Sequence, residues 1–201
     1  MTMKVRIWKQ HSTETCGIAC LLMALDAFRI DDPTVAKEWR LYQRFRTKAA
    51  PGTEGSAIAY ALARYGLDVT LAVSGDDLME DGAGYYPPDL HAALLAEQRM
   101  WLERSGGAVR LETKARIDAA YLRGQLARER LVIAQIIVPG DADGLHDHVL
   151  HAVLLYGEEG EDFLLCDPWV GKGRMPAAKL IDRMDTPVGR MAISVGRKAF
   201  P

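Results

Sequence analysis

An almost uninterrupted apolar stretch in the second half of the chain is the strongest constraint on its fold. Residues 131–138, Leu-Val-Ile-Ala-Gln-Ile-Ile-Val, contain a single polar side chain. A strand that is apolar on both of its faces is typical of the buried interior of a sheet. The chain must therefore place other strands beside this segment and pack further structure against both of its faces.

The periodicity of apolar residues predicts helices mainly in the first part of the chain and strands mainly in the last part. Helices are predicted over 16–29, from an Asp32-Pro33 cap to Phe45, from a Ser56 cap to Gly66, and over 89–105, 117–129 and 177–184. Strands are predicted over 67–73, 108–113, 131–138 and 191–196, with a hairpin of 149–157 and 161–167. This order indicates an α+β fold.

Composition excludes several classes of protein. The chain has 201 residues, of which 49% are hydrophobic and 26% charged, and its net charge is −2. These values fit a globular domain better than a disordered chain, and they argue against a duplex nucleic-acid binder, which usually carries an excess of basic residues. The sequence has no run of 18 apolar residues and no apolar segment typical of a secretory signal. We therefore expect a cytoplasmic protein that contacts neither membrane nor nucleic acid.

A cysteine at the predicted start of the first helix is a candidate nucleophile. The unpaired N–H groups and the dipole at a helix N-terminus stabilise a thiolate, which favours attack by Cys16. Gly17 would let a substrate backbone approach closely, and the amide of Gln10 would join the Cys16 N–H in an oxyanion hole. The plainer alternative is that Cys16 fills the core as a small residue, the role that we expect for Cys20.

A histidine between apolar strand residues is the candidate base. His151 needs a hydrogen-bond partner if it is buried, and a hairpin centred on Glu159 would place Asp167 directly opposite it on the same face. A carboxylate in that position would orient the imidazole for proton transfer from a thiol. Trp169 follows closely and would either cover this pair or pack as an ordinary core residue. A histidine bonded to a backbone carbonyl remains the alternative for His151.

Clustered histidines leave a metal site open as an alternative. His146, His148 and His151 form an H-x-H-x-x-H pattern. However, His148 and His151 would point to opposite sides of an extended segment, and neither a helical H-E-x-x-H nor a C-x-x-C motif accompanies them. We therefore expect no metal and no cofactor, and we interpret His146 and His148 as rim residues, with His148 touching substrate.

Two segments resemble a known family. The first segment begins at Gln10 and reads Gln-His-Ser-Thr-Glu-Thr-Cys-Gly-Ile-Ala-Cys-Leu-Leu-Met-Ala-Leu. The second lies near the end of the chain and combines His-Ala-Val-Leu-Leu-Tyr-Gly with Phe-Leu-Leu-Cys-Asp-Pro-Trp-Val-Gly. Both are similar to papain-like cysteine peptidases, most closely to the bacteriocin-processing (double-glycine leader) peptidases and their standalone bacterial relatives. The resemblance implies a papain-like fold in which Cys16 is the nucleophile, His151 the base, Asp167 its orienting partner and Gln10 the oxyanion donor.

The function predicted from these residues is hydrolysis of a peptide or amide bond through a thioester on Cys16. One alternative is an acyltransferase or amide ligase that uses the same thioester, and another is an inactive peptide-binding module. We expect a single domain over 1–201, with a helical part over about 1–66, an insertion over about 74–105 that shapes substrate choice, and a sheet part over about 108–201. The transporter-fused relatives carry membrane and ATP-binding segments that this sequence lacks, so the resemblance does not imply leader export.

Overall fold

The computed structural model of the protein describes residues 2–79, 85–139 and 148–198. Its helices are α1 (Cys16–Ala27), α2 (Val35–Phe45), α3 (Gly55–Arg64), α4 (Pro88–Ser105), α5 (Ala119–Ala127) and α6 (Ala177–Met184). Its strands are β1 (Leu67–Val73), β2 (Val109–Glu112), β3 (Leu131–Pro139), β4 (His148–Glu159), β5 (Asp162–Asp167), β6 (Gly171–Pro176) and β7 (Met191–Arg197). The α+β class predicted from the sequence is confirmed.

Local chemistry explains some of the helix ends, and two predicted caps are wrong. The hydroxyl of Thr34, rather than Asp32, caps α2 by accepting a hydrogen bond from the Lys37 N–H at 3.2 Å. Helix α3 begins at Gly55, so Ser56 lies inside the first turn and does not cap it. Helix α4 ends at Gly106, whose φ of 56° suits the left-handed conformation.

Within the described ranges, seven strands form one sheet in the order β2-β1-β7-β3-β4-β5-β6. All neighbouring strands are antiparallel except β1 and β2, which pair in parallel across the connection that contains α4. Strand β3 lies in the middle of the sheet, as its apolar sequence requires. Strand β6, Gly-Lys-Gly-Arg-Met-Pro, was not predicted because two glycines and two basic residues lack the usual strand pattern.

Helices cover both faces of the sheet and create two apolar cores. One core holds α1 and α3 against the sheet and is formed by residues such as Ile18, Leu22, Leu62, Leu71 and Leu154. The other lies under α5 and α6, with Leu122, Phe163, Leu180 and Met184 among its residues. Because α1 is buried along most of its length and packs against β4, its N-terminus is held in place beside that strand.

Candidate active site

Cys16 is the first residue of α1, which places its backbone N–H at the open end of the helix. The helical ladder begins with the Ala19 N–H, which donates to the Thr15 carbonyl at 2.8 Å. The N–H groups of Cys16 and Gly17 therefore have no acceptor within the helix. The thiol is partly exposed, unlike those of Cys20 and Cys166, which are buried. Cys16 is thus the accessible thiol of the three, at the position where a helix best supports negative charge.

A buried carboxylate holds the segment that leads into α1. Glu38 on α2 has no exposed side-chain surface, and it accepts hydrogen bonds from the Thr15 hydroxyl at 2.6 Å and from the Trp8 indole at 2.7 Å. The backbone N–H of His11 donates to it at 2.9 Å, and Nδ1 of the same residue lies 2.7 Å away. One side chain therefore fixes the loop that ends at Cys16.

The Glu38 carboxyl is held in its charged form by these donors. Burial by itself raises the pKa of Glu38, but the hydrogen bonds from Thr15, His11 and Trp8 outweigh it and lower the pKa below its ordinary value. Glu38 was not predictable from the sequence, because the residue lies among the other polar residues of an amphipathic helix. Nothing in the local pattern distinguishes it from a solvated glutamate.

His151 and Asp167 form the hydrogen-bonded pair expected of a base and its orienting partner. His151 is buried, and its Nε2 lies 2.9 Å from Oδ1 of Asp167. The same carboxylate oxygen accepts the backbone N–H groups of Trp169 at 2.8 Å and Val170 at 3.2 Å. These bonds fix the carboxylate in a turn, so that it holds the imidazole in one orientation.

The strand register that produces this pair differs from the predicted one. Leu154 pairs with Cys166 and Leu155 with Leu165, and a β-bulge between Leu155 and Gly157 shifts the rest of the hairpin by one residue. Asp167 is therefore offset by two residues along its strand from the position directly opposite His151. A shift of two residues keeps both side chains on the same face, and an imidazole spans the diagonal between them.

The electrostatics of the pair favour an imidazolium beside a carboxylate. Burial lowers the pKa of His151, but the hydrogen bond that it donates to Asp167 and its interaction with the neighbouring Cys16 thiol outweigh this effect and raise the pKa to about 9. Burial raises the pKa of Asp167, and the bonds from His151 and from the Trp169 and Val170 N–H groups reverse this and lower it. With Nε2 bound to Asp167, Nδ1 is the ring nitrogen that remains for the Cys16 thiol. The structure thus brings Cys16, His151 and Asp167 into one chain of contacts.

Gln10 lies next to these three residues, but its hydrogen bonds go to neighbouring loop residues. Its backbone N–H donates to the carbonyl of Pro168 at 3.0 Å, which fastens the loop beside Asp167. Its side-chain Nε2 donates to the Ser12 carbonyl at 2.8 Å, while its Oε1 is buried without a partner among the described residues. Nε2 carries a second hydrogen, and the predicted donor role of Gln10 stays a prediction.

The residues expected to touch substrate have different surroundings. A Cβ on Gly17 would lie 2.5 Å from Cδ1 of Ile58, so this glycine permits close packing of α1 on α3, a role that the sequence did not suggest. Trp169 is 50% exposed. The centre of its ring lies 6.1 Å from that of the His151 ring, so the indole lies at the protein surface beside the pair. His146 and the side chain of His148 lie outside the described residues.

The other cysteines and the possible metal ligands form no second site in the described part of the chain. Burial raises the pKa of Cys20 and raises that of Cys166 to about 11, so both remain thiols. The Cys20 thiol donates to the carbonyl of Ala152 at 3.4 Å, which ties α1 to β4. Residues 2–79, 85–139 and 148–198 contain no group of three side chains that would bind a metal ion. Over the same ranges, none of the helices has the length and apolarity needed to cross a bilayer.

Comparison with solved structures identifies the fold. The peptidase domain of Streptococcus ComA, a bi-functional ABC transporter involved in a quorum-sensing pathway, superposes with a TM-score of 0.50 at 14% identity, covering 98% of this chain and 99% of that one. A protein from Bacillus anthracis described as a C39-like peptidase gives 0.50 at 13% identity, with 98% and 97% covered. The chain has the papain-like fold of these C39 peptidase domains.

A third solved structure is similar at a lower score. It is a double-glycine-motif protease from an AMS/PCAT transporter in complex with its leader peptide, with a TM-score of 0.49 and 16% identity over 96% of this chain and 93% of that one. No family model and no curated protein sequence matches the chain.

Proposed function

We propose that the protein is a cysteine hydrolase that cleaves a peptide or amide bond. The observation that supports this most directly is the contact chain from Cys16 to His151 and from His151 to Asp167. A thiol beside an oriented imidazole is the arrangement that nucleophilic catalysis requires. The fold, shared with peptidase domains, agrees with this chemistry but is not evidence for it by itself.

The proposed reaction begins with proton transfer from the Cys16 thiol to His151. The thiolate attacks the scissile carbonyl carbon and forms a C–S bond, and the carbonyl oxygen becomes an oxyanion. The free N–H of Cys16 and the remaining Nε2 hydrogen of Gln10 are the donors for that oxygen. The His151 imidazolium then protonates the leaving amine as the C–N bond breaks, which leaves a thioester on Cys16.

Hydrolysis of the thioester completes the cycle. His151 removes a proton from water, the resulting hydroxide attacks the thioester carbon, and the thiol leaves with that proton. Asp167 stays ionised throughout and stabilises the imidazolium. Trp169, Gly17 and His148 are the proposed substrate contacts beside the reacting atoms. The same thioester would acylate an amine if water were excluded from the cleft.

Selective alkylation of Cys16 is the first test of the proposal. We expect iodoacetamide at pH 6 to modify Cys16 at least about tenfold faster than an ordinary cysteine, because the adjacent imidazole of His151 can accept the thiol proton. Peptide mapping by mass spectrometry locates the label. Cys16→Ala removes it, and Cys166→Ala, which alters a buried thiol, leaves it in place. An equally slow reaction of Cys16 and free cysteine would count against the proposal.

Product analysis separates hydrolysis from acyl transfer. Incubation with a mixture of peptides, with and without added glycine ethyl ester, gives only free carboxylates if the enzyme is a hydrolase. New amides that depend on Cys16 would instead identify an acyltransferase. Peptide binding without either product in wild-type protein would identify a binding module.

A further inference from the structure

A cavity of about 140 Å³ opens beside Cys16 and extends away from the reacting atoms. Its walls come from α3 and the residues before it, from the sheet, and from the segment over 74–105. The last of these contributes Met79, Tyr86 and Gln98. The volume is on the scale of a cavity that admits a single benzene ring, so it suits one side chain of a substrate.

Two polar groups at this cavity lack a partner. Oε1 of Gln135, which can only accept, is buried and has no partner among the described residues, and the same holds for the Thr53 hydroxyl. Glu54, at the N-terminus of α3, accepts a hydrogen bond from Nε2 of Gln98 at 3.0 Å, and the Thr47 hydroxyl also favours its charged form. An acceptor that lacks a partner in the free protein is costly unless a ligand supplies the donor.

Burial and neighbouring negative charge act on two groups that line the cavity. Burial and the neighbouring carboxylate of Glu97 raise the pKa of Glu54 to about 7. Burial and the charge of Glu54 likewise raise the pKa of Tyr86 to about 12. Both shifts have the direction expected of buried groups beside negative charge.

The basic side chains that line the cavity are already paired. Arg190 directs Nε and Nη2 to the Asp185 carboxylate at 2.6 and 2.9 Å, and its Nη1 donates to the Ile117 carbonyl at 2.8 Å. His151 is paired with Asp167. Among the described lining residues, no other basic side chain is present to neutralise Glu54.

We propose that this cavity binds a basic side chain of the substrate, lysine or arginine, with Glu54 as its counter-ion and Gln135 as an additional acceptor. The inference rests on the proposed function, because it assumes a peptide that reacts at Cys16. It makes Glu54 a specificity-determining residue, and it gives the segment over 74–105 a part in substrate choice through Gln98 and Tyr86.

Matched pairs of inactivators test this preference directly. Each probe is an acetyl-tripeptidyl chloromethyl ketone of alanine in which one of the three positions carries lysine or norleucine. These two side chains have the same four-carbon length and differ in the ammonium group. The rate of Cys16 alkylation at pH 8, followed by intact mass spectrometry, compares the two members at each position.

We expect the lysine member to react about tenfold faster than the norleucine member at one of the three positions, as one charge-assisted hydrogen bond would produce. In Glu54→Gln, which keeps the shape of the side chain and its bond to Gln98, this advantage falls below about threefold. The control Glu161→Gln alters an exposed carboxylate on the turn before β5 and retains the full preference.

The possible failures are distinguishable. Equal rates for lysine and norleucine at all three positions, with Cys16 labelled, would overturn this inference and leave the proposed function intact. A lysine preference that persists in a folded Glu54→Gln protein would overturn the assignment to this cavity. Absence of Cys16 labelling by every probe would overturn the proposed function and this inference with it. The wild-type comparison does not depend on how the variant folds.

Discussion

Thr15 and Glu38 meet one residue before the candidate nucleophile, where the Thr15 hydroxyl donates a 2.6 Å hydrogen bond to Oε1 of the buried carboxylate. The two residues are 23 positions apart in the chain and belong to the N-cap of α1 and to the first turn of α2. Thr15 makes no side-chain cap to its own helix, so its hydroxyl contacts with Glu38 and with the Ser12 carbonyl at 3.0 Å anchor the helix start. The position of Cys16 is thereby tied to the packing of α2 against α1.

Replacement of this carboxylate tests its role as a positioning residue. Glu38→Gln gives one acceptor and one donor group in place of two acceptors, so at least one buried donor loses its partner. We expect the free energy of unfolding to fall by about 2 kcal/mol. We also expect slower alkylation of Cys16, because the loop before it is released. Urea unfolding and iodoacetamide kinetics measure the two effects.

The control for this substitution is Glu161→Gln, which removes an exposed negative charge. This substitution should change neither the free energy of unfolding nor the rate of Cys16 alkylation. A Glu38→Gln protein with wild-type stability and a wild-type alkylation rate would show that the loop is held by other contacts.

Asp167 raises the pKa of His151, and the direction of this shift can be tested by titration. We expect the imidazole to titrate near pH 9 in the wild type. In Asp167→Asn the midpoint falls by at least about 1 pH unit, since a neutral amide no longer favours the imidazolium. Nuclear magnetic resonance of the histidine ring measures both midpoints, with His91 as the internal reference. An unchanged midpoint would contradict the proposed pairing.

The same shift predicts how this pair affects stability. A histidine whose pKa is raised in the folded state stabilises the fold below its unfolded pKa of about 6.5, and that contribution is lost as the pH rises through the folded value near 9. The free energy of unfolding should therefore differ most between wild type and Asp167→Asn near pH 6. The contribution of this pair to the difference should disappear above pH 9, as measured by urea unfolding across the range.

Gly17 and Ile58 should show coupled effects on stability. An added methyl at Gly17 would lie 2.5 Å from Cδ1 of Ile58, and overpacking of this kind costs about 1–3 kcal/mol. Ile58→Val removes that carbon, so Gly17→Ala is better tolerated in its presence. We expect a coupling energy of about 1 kcal/mol from the double-mutant cycle. Additive effects would show that the glycine is required for another reason.

Glu54 should make stability depend on pH in the direction opposite to a paired carboxylate. Its pKa near 7 exceeds the unfolded value of about 4.3, so the folded state loses stability as the pH rises between these values. Glu54→Gln should therefore be about 1–2 kcal/mol more stable than wild type at pH 8, and this advantage should vanish at pH 4. Thermal unfolding at both pH values measures the difference, with Glu161→Gln as the control.

A basic ligand would reverse this effect of Glu54. Glu97 and Tyr86 are the titratable neighbours that face the carboxyl, and neither supplies positive charge. A pH-independent difference between wild type and Glu54→Gln would indicate that the carboxyl is solvated and ionises normally.

The sequence was sufficient to predict the helices and most strands because their apolar spacing reflects burial on one face or both. The pairing of His151 with Asp167 was also predictable, since a buried imidazole needs a partner. The register was not, because the hairpin turns at Gly160 and Glu161 instead of at Glu159, and the bulge between Leu155 and Gly157 then shifts the pairing by one residue. Glu38 and Glu54 were missed for a related reason. Their roles depend on which distant residues surround them, and helix periodicity carries no such information.

The β-bulge in the hairpin separates its turn from the end that carries the candidate active site. Between the bulge and the site, the register is set by Leu154 with Cys166, and beyond the bulge it is set independently by Glu158 with Phe163. A residue added or removed at the tip can thus be absorbed where the ladder is already irregular. The tip around Gly160 is therefore a suitable attachment point for an affinity tag or a fluorophore that must leave the geometry of the nucleophile undisturbed.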